Sequence, residues 1–357
     1  MAQSGDLEEP VLPSAIEGRS GLSVIVCFGE ILLRLSSCPP AVLLQDSRLE
    51  ATVGGAEANV AVALSGFCHD VCMVSVLPDN RLGQAAQGEL QRHGVNIRNV
   101  QSAPGRMGLY FLNPGAMMRP AEILYDRTGS AFADLDPDQF DWDHILEGVD
   151  WLFVGGITAA LGDGPLQAMR RAMEIARDRA VRIAFDCNYR PTLWSGRESL
   201  APSILRELSC QADLVFAGRR AIGMMLDMEF DHPDPDIGFA AATAALFRNA
   251  PGLRHIAATR REIYSATSHR LTGVIADRQK VVAGASMTLD GIVDRIGTGD
   301  AYAAGVLHGL SGAESLESVV AFAGAAAQWS HGVQGDFLRA SVADVKSLLI
   351  GGADIRR

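Results

Sequence analysis

Asp294-Arg295-Ile296-Gly297-Thr298-Gly299-Asp300, followed at once by Ala301-Tyr302-Ala303-Ala304-Gly305-Val306-Leu307, is the stretch on which the reading of this chain turns. The glycines flanking Thr298 let the backbone turn tightly, and the small-residue run from Ala301 reads as a helix. Unpaired amides at a helix N-terminus point outward with the positive end of the dipole, so Gly297, Thr298, Gly299 and Asp300 are placed to cradle an anion such as phosphate. Asp300 then has two readings. As a general base it would take a proton from a hydroxyl whose oxygen attacks a phosphoryl group held by those amides. As a helix-start residue it would merely cap, since Asp is among the preferred types there.

Working outward, the segments before this turn alternate strand and helix. Leu22 to Phe28 is a short apolar run suited to a buried strand, closed by Gly29-Glu30. Gly54-Gly55-Ala56-Glu57-Ala58-Asn59 leads into an alanine-rich helix ending near Gly66; the bare backbone of the double glycine would admit a ligand, with Asn59 one turn on facing the same space, or would serve tight helix packing. Val71–Val76, Arg81–His93 and Val95–Val100 continue as βαβ. Then Met107–Leu112 and Glu122–Asp126, joined through Asn113-Pro114-Gly115, form a hairpin foreign to a parallel sheet. With part of 41–53 it is expected to stand off the main sheet as a small β lid. Tyr110, Tyr125 and Arg127 alternate with apolar residues and could share one of its faces, where either a polar substrate or solvent would give them partners.

The alternation resumes with Trp151–Val154, a helix over Pro165–Arg179 and the strand Val181–Phe185. Asp186-Cys187-Asn188-Tyr189-Arg190 follows at the carboxyl end of that strand, where open α/β sheets bind ligands, and the Arg190 fork suits a carboxylate or phosphate. Asp213–Phe216 leads to Gly218-Arg219-Arg220-Ala221, a Met-rich helix and an acidic loop in which His232 has no companions and reads as surface. Ala240–Phe247 reads as a helix and His255–Ala258 as a strand. The runs 262–267, 271–276 and 279–284 follow as antiparallel edge strands, and Ser311 to Glu314 has capping-box spacing for a last small-residue helix.

Composition narrows the partners. A net charge of -11 argues against nucleic acid, and among the 357 residues no apolar run reaches the ~18 of a membrane span. Six scattered cysteines fit a reducing cytoplasm better than a disulfide framework. Met1 to Ser20 is acidic and proline-containing and reads as a tail. No Gly-x-Gly-x-x-Gly follows the first strand, which argues against a dinucleotide-binding dehydrogenase.

Taken in order, Gly29-Glu30, Gly54 to Asn59, Gly108-Leu109-Tyr110, Tyr125-Asp126-Arg127, Asp186 to Arg190 and Asp294 to Asp300 resemble the ribokinase-like (PfkB) sugar kinases over about 22–350, and within them the 2-keto-3-deoxygluconate kinases. The resemblance implies an α/β fold: a three-layer core with a mostly parallel central sheet and a small β-sheet lid. It implies one kinase domain over 22–350 with lid segments 41–53 and 105–127 inserted, a tail over 1–21 and another over 351–357. ATP would be the donor, with Mg²⁺ or another divalent cation, and Asp300 would be the base beside the Gly297, Thr298 and Gly299 amides. Gly55, Asn59, Tyr110, Tyr125, Arg127 and Arg190 match substrate-holding positions, and Thr259 with Arg261 match a Thr-x-Arg pattern near the nucleotide. Two arginines suit the carboxylate of a sugar acid better than a neutral fructose or ribose. One departure stands out. Where the family usually has Asn-x-x-Glu, whose carboxylate helps organise the metal, this chain has Gly218-Arg219-Arg220-Ala221, so the metal ligand is unknown and weaker Mg²⁺ binding or slower turnover is expected. A kinase of another sugar, or a sugar or nucleotide sensor with weakened chemistry, remains the alternative. Exposed lid edges are expected to pair copies into a homo-oligomer.

Overall fold

The computed structural model describes residues 22–351, so the expected tail over 1–21 and, but for Gly351, the one over 351–357 lie outside the described residues. From the N-terminal side, β1 (Val24–Phe28) enters the core, β2 (Leu32–Ser37) and β3 (Leu49–Gly54) leave it, and α1 (Ala56–Gly66) returns to β4 (Asp70–Pro78). α2 (Arg81–Arg92), β5 (Asn96–Ala103), β6 (Gly108–Asn113) and β7 (Glu122–Asp126) follow. Next come α3 (Trp142–Ile145), β8 (Trp151–Gly155), α4 (Gly156–Ala160), α5 (Asp163–Asp178), β9 (Arg182–Asp186) and α6 (Ala201–Gln211). β10 (Leu214–Phe216), α7 (Arg219–Leu226), α8 (Pro235–Asn249), β11 (His255–Ser265), β12 (Ser268–Ala276), β13 (Val281–Ala283) and β14 (Met287–Asp290) lead to α9 (Thr298–Ser311), α10 (Leu316–His331) and α11 (Val342–Ile350).

The strands make two sheets. The main one runs β13-β12-β11-β10-β9-β8-β1-β4-β5, with β14 also on β12; it is parallel from β11 to β5 and antiparallel beyond β11. β1 shows why this order is stable: Val26 and Phe28 join one apolar cluster while Ile25 and Cys27 join the other, so its alternating side chains feed a helical layer on each face. On one face Gly305 of α9 lies against Ala323 of α10 with no room for a side-chain carbon between them, which brings the two helices close. The second sheet, β3-β2-β6-β7, forms the lid.

Four sequence expectations need correction. The lid takes in β2 at Leu32–Ser37, ahead of the 41–53 segment, of which the strand is Leu49–Gly54. β11 is one strand from His255 to Ser265, its later half still laddered to β12, so the runs around 255–258 and 262–267 are a single element. α8 starts at Pro235, capped by Asp234, and not at Ala240. Ser311 ends α9; Ser315 caps α10 by accepting the Ser318 amide, and the capping box belongs to Ser341 and Asp344 on α11. No helix among the described residues is long and apolar enough to cross a membrane.

Candidate active site

α9 begins at the mouth of a cleft of about 1430 Å³ between the main sheet and the lid. Gly297 is its N-cap, at φ 75, a left-handed conformation that glycine adopts without strain. A side-chain carbon there would also collide with the Asp336 carbonyl oxygen, so both dihedral and space demand glycine. No side chain caps the helix, which leaves the first-turn amides facing the cleft. Asp300 stands in that first turn, and the capping position belongs to Gly297. Asn59 Nδ2, from α1, donates to Asp300 Oδ2 at 2.6 Å. Burial pushes the Asp300 carboxyl up to about 8, the Asn59 bond opposing and the charges of Asp186 and Glu57 adding. Asn59 Oδ1 is buried without a partner, an acceptor that a ligand hydroxyl would satisfy.

The other sequence candidates line the same cleft, in different states. Gly55 caps α1 at φ 137 and stacks tightly on the Glu30 carbonyl. Arg190 bonds only its neighbour's carbonyl, Tyr189 O at 3.3 Å, and keeps its fork toward solvent. Arg261 Nη2 donates to Thr298 Oγ1 at 3.2 Å, and Thr259 lies beside it on β11. Tyr110 and Tyr125 are directly opposite each other across β6 and β7. Two lid residues expected to wait for a ligand already have protein partners. Tyr110 Oη donates to Asp336 Oδ2 at 2.7 Å, and Arg127 Nε donates to buried Glu30 at 2.5 Å, with Ser130 Oγ on the other Glu30 oxygen. His232, expected as plain surface, sits on the cleft rim, its Nδ1 accepting the Asp234 amide.

A buried ionic cluster that the sequence did not announce ties the lid to the anion turn. Arg34 of β2 reaches Asp294 Oδ2 at 2.7 Å and Asp336 Oδ1 at 3.2 Å, and the three residues are 4%, 7% and 3% exposed. Asp294 Oδ1 accepts the Arg295 and Ile296 amides at 2.7 and 3.0 Å, and its Oδ2 accepts the Gly335 amide at 3.1 Å. The turn is thus shaped by one carboxylate, backed by the Asp336 carbonyl and fastened to the lid by one guanidinium.

The pfkB family carbohydrate kinase model matches residues 23–338. The chain belongs to that family. A 2-dehydro-3-deoxygalactonokinase of Haloferax volcanii is 31% identical over 329 residues, 92% of this chain and 97% of that protein. The crystal structure of a 2-dehydro-3-deoxygluconokinase from Thermotoga maritima aligns with a TM-score of 0.88 at 31% identity, covering 92% of this chain and 100% of that one. A PfkB family carbohydrate kinase from Listeria grayi aligns with a TM-score of 0.87 at 31% identity over 92% and 100%. The ribokinase-like fold is therefore established for this carbohydrate kinase. Its departure at Gly218–Ala221 has a definite form: Gly218 caps α7 without a side-chain bond, Arg219 is held by the Phe230 and His232 carbonyls, and Arg220 lines the cleft. Among the described residues no group of three or more metal-ligating side chains is found.

Proposed function

We propose that this kinase transfers the γ-phosphoryl of ATP to a hydroxyl of a 2-keto-3-deoxy sugar acid, 2-keto-3-deoxygluconate to its 6-phosphate above all. The observation that carries the reading is Asp300, bonded by Asn59 at 2.6 Å in the first turn of an uncapped helix. There it would accept the hydroxyl proton while the Gly297, Thr298 and Gly299 amides hold charge on the phosphoryl oxygens. Gly55, Asn59, Tyr110, Tyr125, Arg127 and Arg190 would line the acceptor's side. Arg190, with no carboxylate partner among the described residues, would take the substrate carboxylate. Arg127 would act through its bond to Glu30, fixing the lid over the acceptor.

The residues present suit a nucleotide. The cleft exceeds the ~300–1,000 Å³ usual for one small ligand, and the buried, unpartnered Arg295 Nε beside the turn is a donor for an anionic oxygen. Thr259, Arg261 and the turn amides would hold ATP, which supplies the phosphoryl group. They suit Mg²⁺ only as a metal brought in on phosphate oxygens, with Asp186 the nearby carboxylate, since Mg²⁺ binds through one or two carboxylates plus phosphates and water. The reducing cytoplasm is the expected compartment, in keeping with six free cysteines.

The test is ADP release with a panel of 2-keto-3-deoxygluconate, its C4 epimer, gluconate, fructose and ribose, with and without Mg²⁺. A 2-keto-3-deoxy acid should lead, with neutral sugars lower by roughly 100-fold from the missing charged contact; a neutral sugar as the best acceptor overturns the reading. The epimer is included because the Haloferax volcanii relative carries its name. We also propose a homo-oligomer through the lid's outer face, where Leu35, Phe111 and half-exposed Leu124 are cross-strand neighbours. Light scattering should give a dimer or larger for the native chain and a monomer for Phe111→Glu, and a monomeric native chain refutes this.

A further inference from the structure

The cleft collects arginines, and they divide by partner. Arg127 faces Glu30, Arg219 faces Asp231 and Arg260 faces Asp236, while Arg34, behind the lining, faces Asp294 and Asp336. Arg190, Arg220, Arg261 and Arg295 line the same cleft, and among the described residues none has a carboxylate at ion-pair distance. Arg220 has no hydrogen-bond partner either, and Arg295 Nε is buried without one.

Three of the four come to the same side of the sheet for a topological reason. β9, β10 and β11 are parallel neighbours, with Asp186 level with Phe216 and Phe216 level with Ala257. Arg190 follows β9, Arg220 stands in the first turn of α7 just past β10, and Arg261 lies within β11 beyond its pairing with β10, all on the carboxyl side of that level row. Arg295 joins them from the anion turn. Burial first, then the charges of Arg295 and Arg190, push the Arg261 guanidinium down to about 10, although its side chain stays open to the cleft; like charges are crowded here. Of the four, only Arg190 is answered by cleft carboxylates, Asp186 and Asp300, which burial otherwise raises to about 6 and about 8. Asp236 is paired with Arg260, Asp336 with Arg34 and Tyr110, and Glu262 bonds Tyr264. A chain of net charge -11 has thus concentrated uncompensated positive charge at one wall.

We propose that Arg220, Arg261 and Arg295 neutralise the donor's triphosphate directly, so that the cleft binds ATP in its metal-free form as well as with Mg²⁺. This rests on the kinase reading above, in which Arg190 is committed to the substrate carboxylate. A guanidinium fork meets phosphate oxygens in two parallel bonds, and each charge-assisted bond is worth about 10- to 100-fold in affinity. Arg220 takes up this role where a carboxylate would need a metal to reach the same phosphates.

Titration calorimetry of the full chain with ATP, in EDTA and in excess Mg²⁺, tests it. The dissociation constant in EDTA should lie within about tenfold of that in Mg²⁺, and inorganic tripolyphosphate should compete in EDTA. Arg220→Ala and Arg261→Ala should each weaken binding in EDTA by about tenfold or more, with Arg220→Lys recovering part of the loss because charge and not packing is at stake. Both side chains are exposed, so unchanged thermal melting is the check that these variants fold. ATP binding only with Mg²⁺, or unchanged EDTA affinity in Arg220→Ala, overturns the proposal and leaves the kinase reading standing. Absence of ATP binding in both conditions overturns the two together.

Discussion

Replacing Asp300 with asparagine is expected to lower turnover by roughly 10³-fold, the range of a lost general base, while leaving sugar binding within a few-fold. Asparagine keeps the shape and can still accept from Asn59 Nδ2, but it cannot take up the hydroxyl proton. The same change should make the protein more stable at pH 8. Burial raises the Asp300 carboxyl to about 8 in the folded protein, against an unfolded value of 3.8. A group raised in this way favours the folded state fully below its unfolded value and loses that contribution as pH climbs to its folded one. Native Asp300 therefore becomes a growing liability between about pH 4 and pH 8, and the asparagine variant does not. Its melting temperature should exceed the native by roughly 2–4 °C at pH 8, the gap closing toward pH 4. In the free enzyme kcat/KM should rise with pH through about 8 as the base loses its proton. Near-normal turnover in the variant, at any pH, removes Asp300 from the role of base.

Arg34→Met should destabilise the fold by roughly 3–5 kcal/mol, the consequence of removing one member of a buried ionic cluster and leaving the others unpaired. The two carboxylates it abandons, Asp294 and Asp336, are almost wholly buried. Burial already raises Asp336 to about 6, against lowering by its Tyr110 bond and then Arg34, so losing Arg34 moves it further up. The sign again follows: the damage should be greatest above that value and lessen as pH falls to 5, where Asp336 takes up a proton. Turnover should fall by about tenfold or more even where the variant is folded, because Asp294 shapes the anion turn through the Arg295 and Ile296 amides. Denaturant midpoints at pH 8 and pH 5 are the measurement. The companion Arg34→Met/Asp336→Asn should regain part of the loss at pH 8, and equal midpoints for Arg34→Met and the native chain contradict this account.

Much of the site was legible because its residues sit where local rules operate. Glycine beside Thr298, Asn59 one turn beyond a double glycine and Arg190 past a strand end are each readable from a few neighbours. The ionic cluster was not. Arg34 lies 302 residues from Asp336, inside a strand whose sequence LLRLSS gives no reason to expect a buried arginine. The pairing is set only when β2 joins the lid beside β6, a long-range choice that no periodicity encodes. Glu30 and Arg127 were both noticed and not connected, since 97 residues separate them. At Ser311 the spacing rule pointed four residues ahead of the actual cap, Ser315. The chain needed the intervening turn at Gly312 before α10 could start at Leu316.

Arg34 also sets how this chain can exchange parts with its relatives. The guanidinium is inherited near one end of the sequence and its two carboxylates near the other, at 294 and 336. Any recombination point between 37 and 294 therefore parts donor from acceptors. A lid borrowed from a relative brings specificity only if the borrowed second strand still carries a cation for this turn, or if the turn travels with it. The lid's second strand and the anion turn must therefore be inherited together, although most of the lid and the main sheet lie between them in sequence.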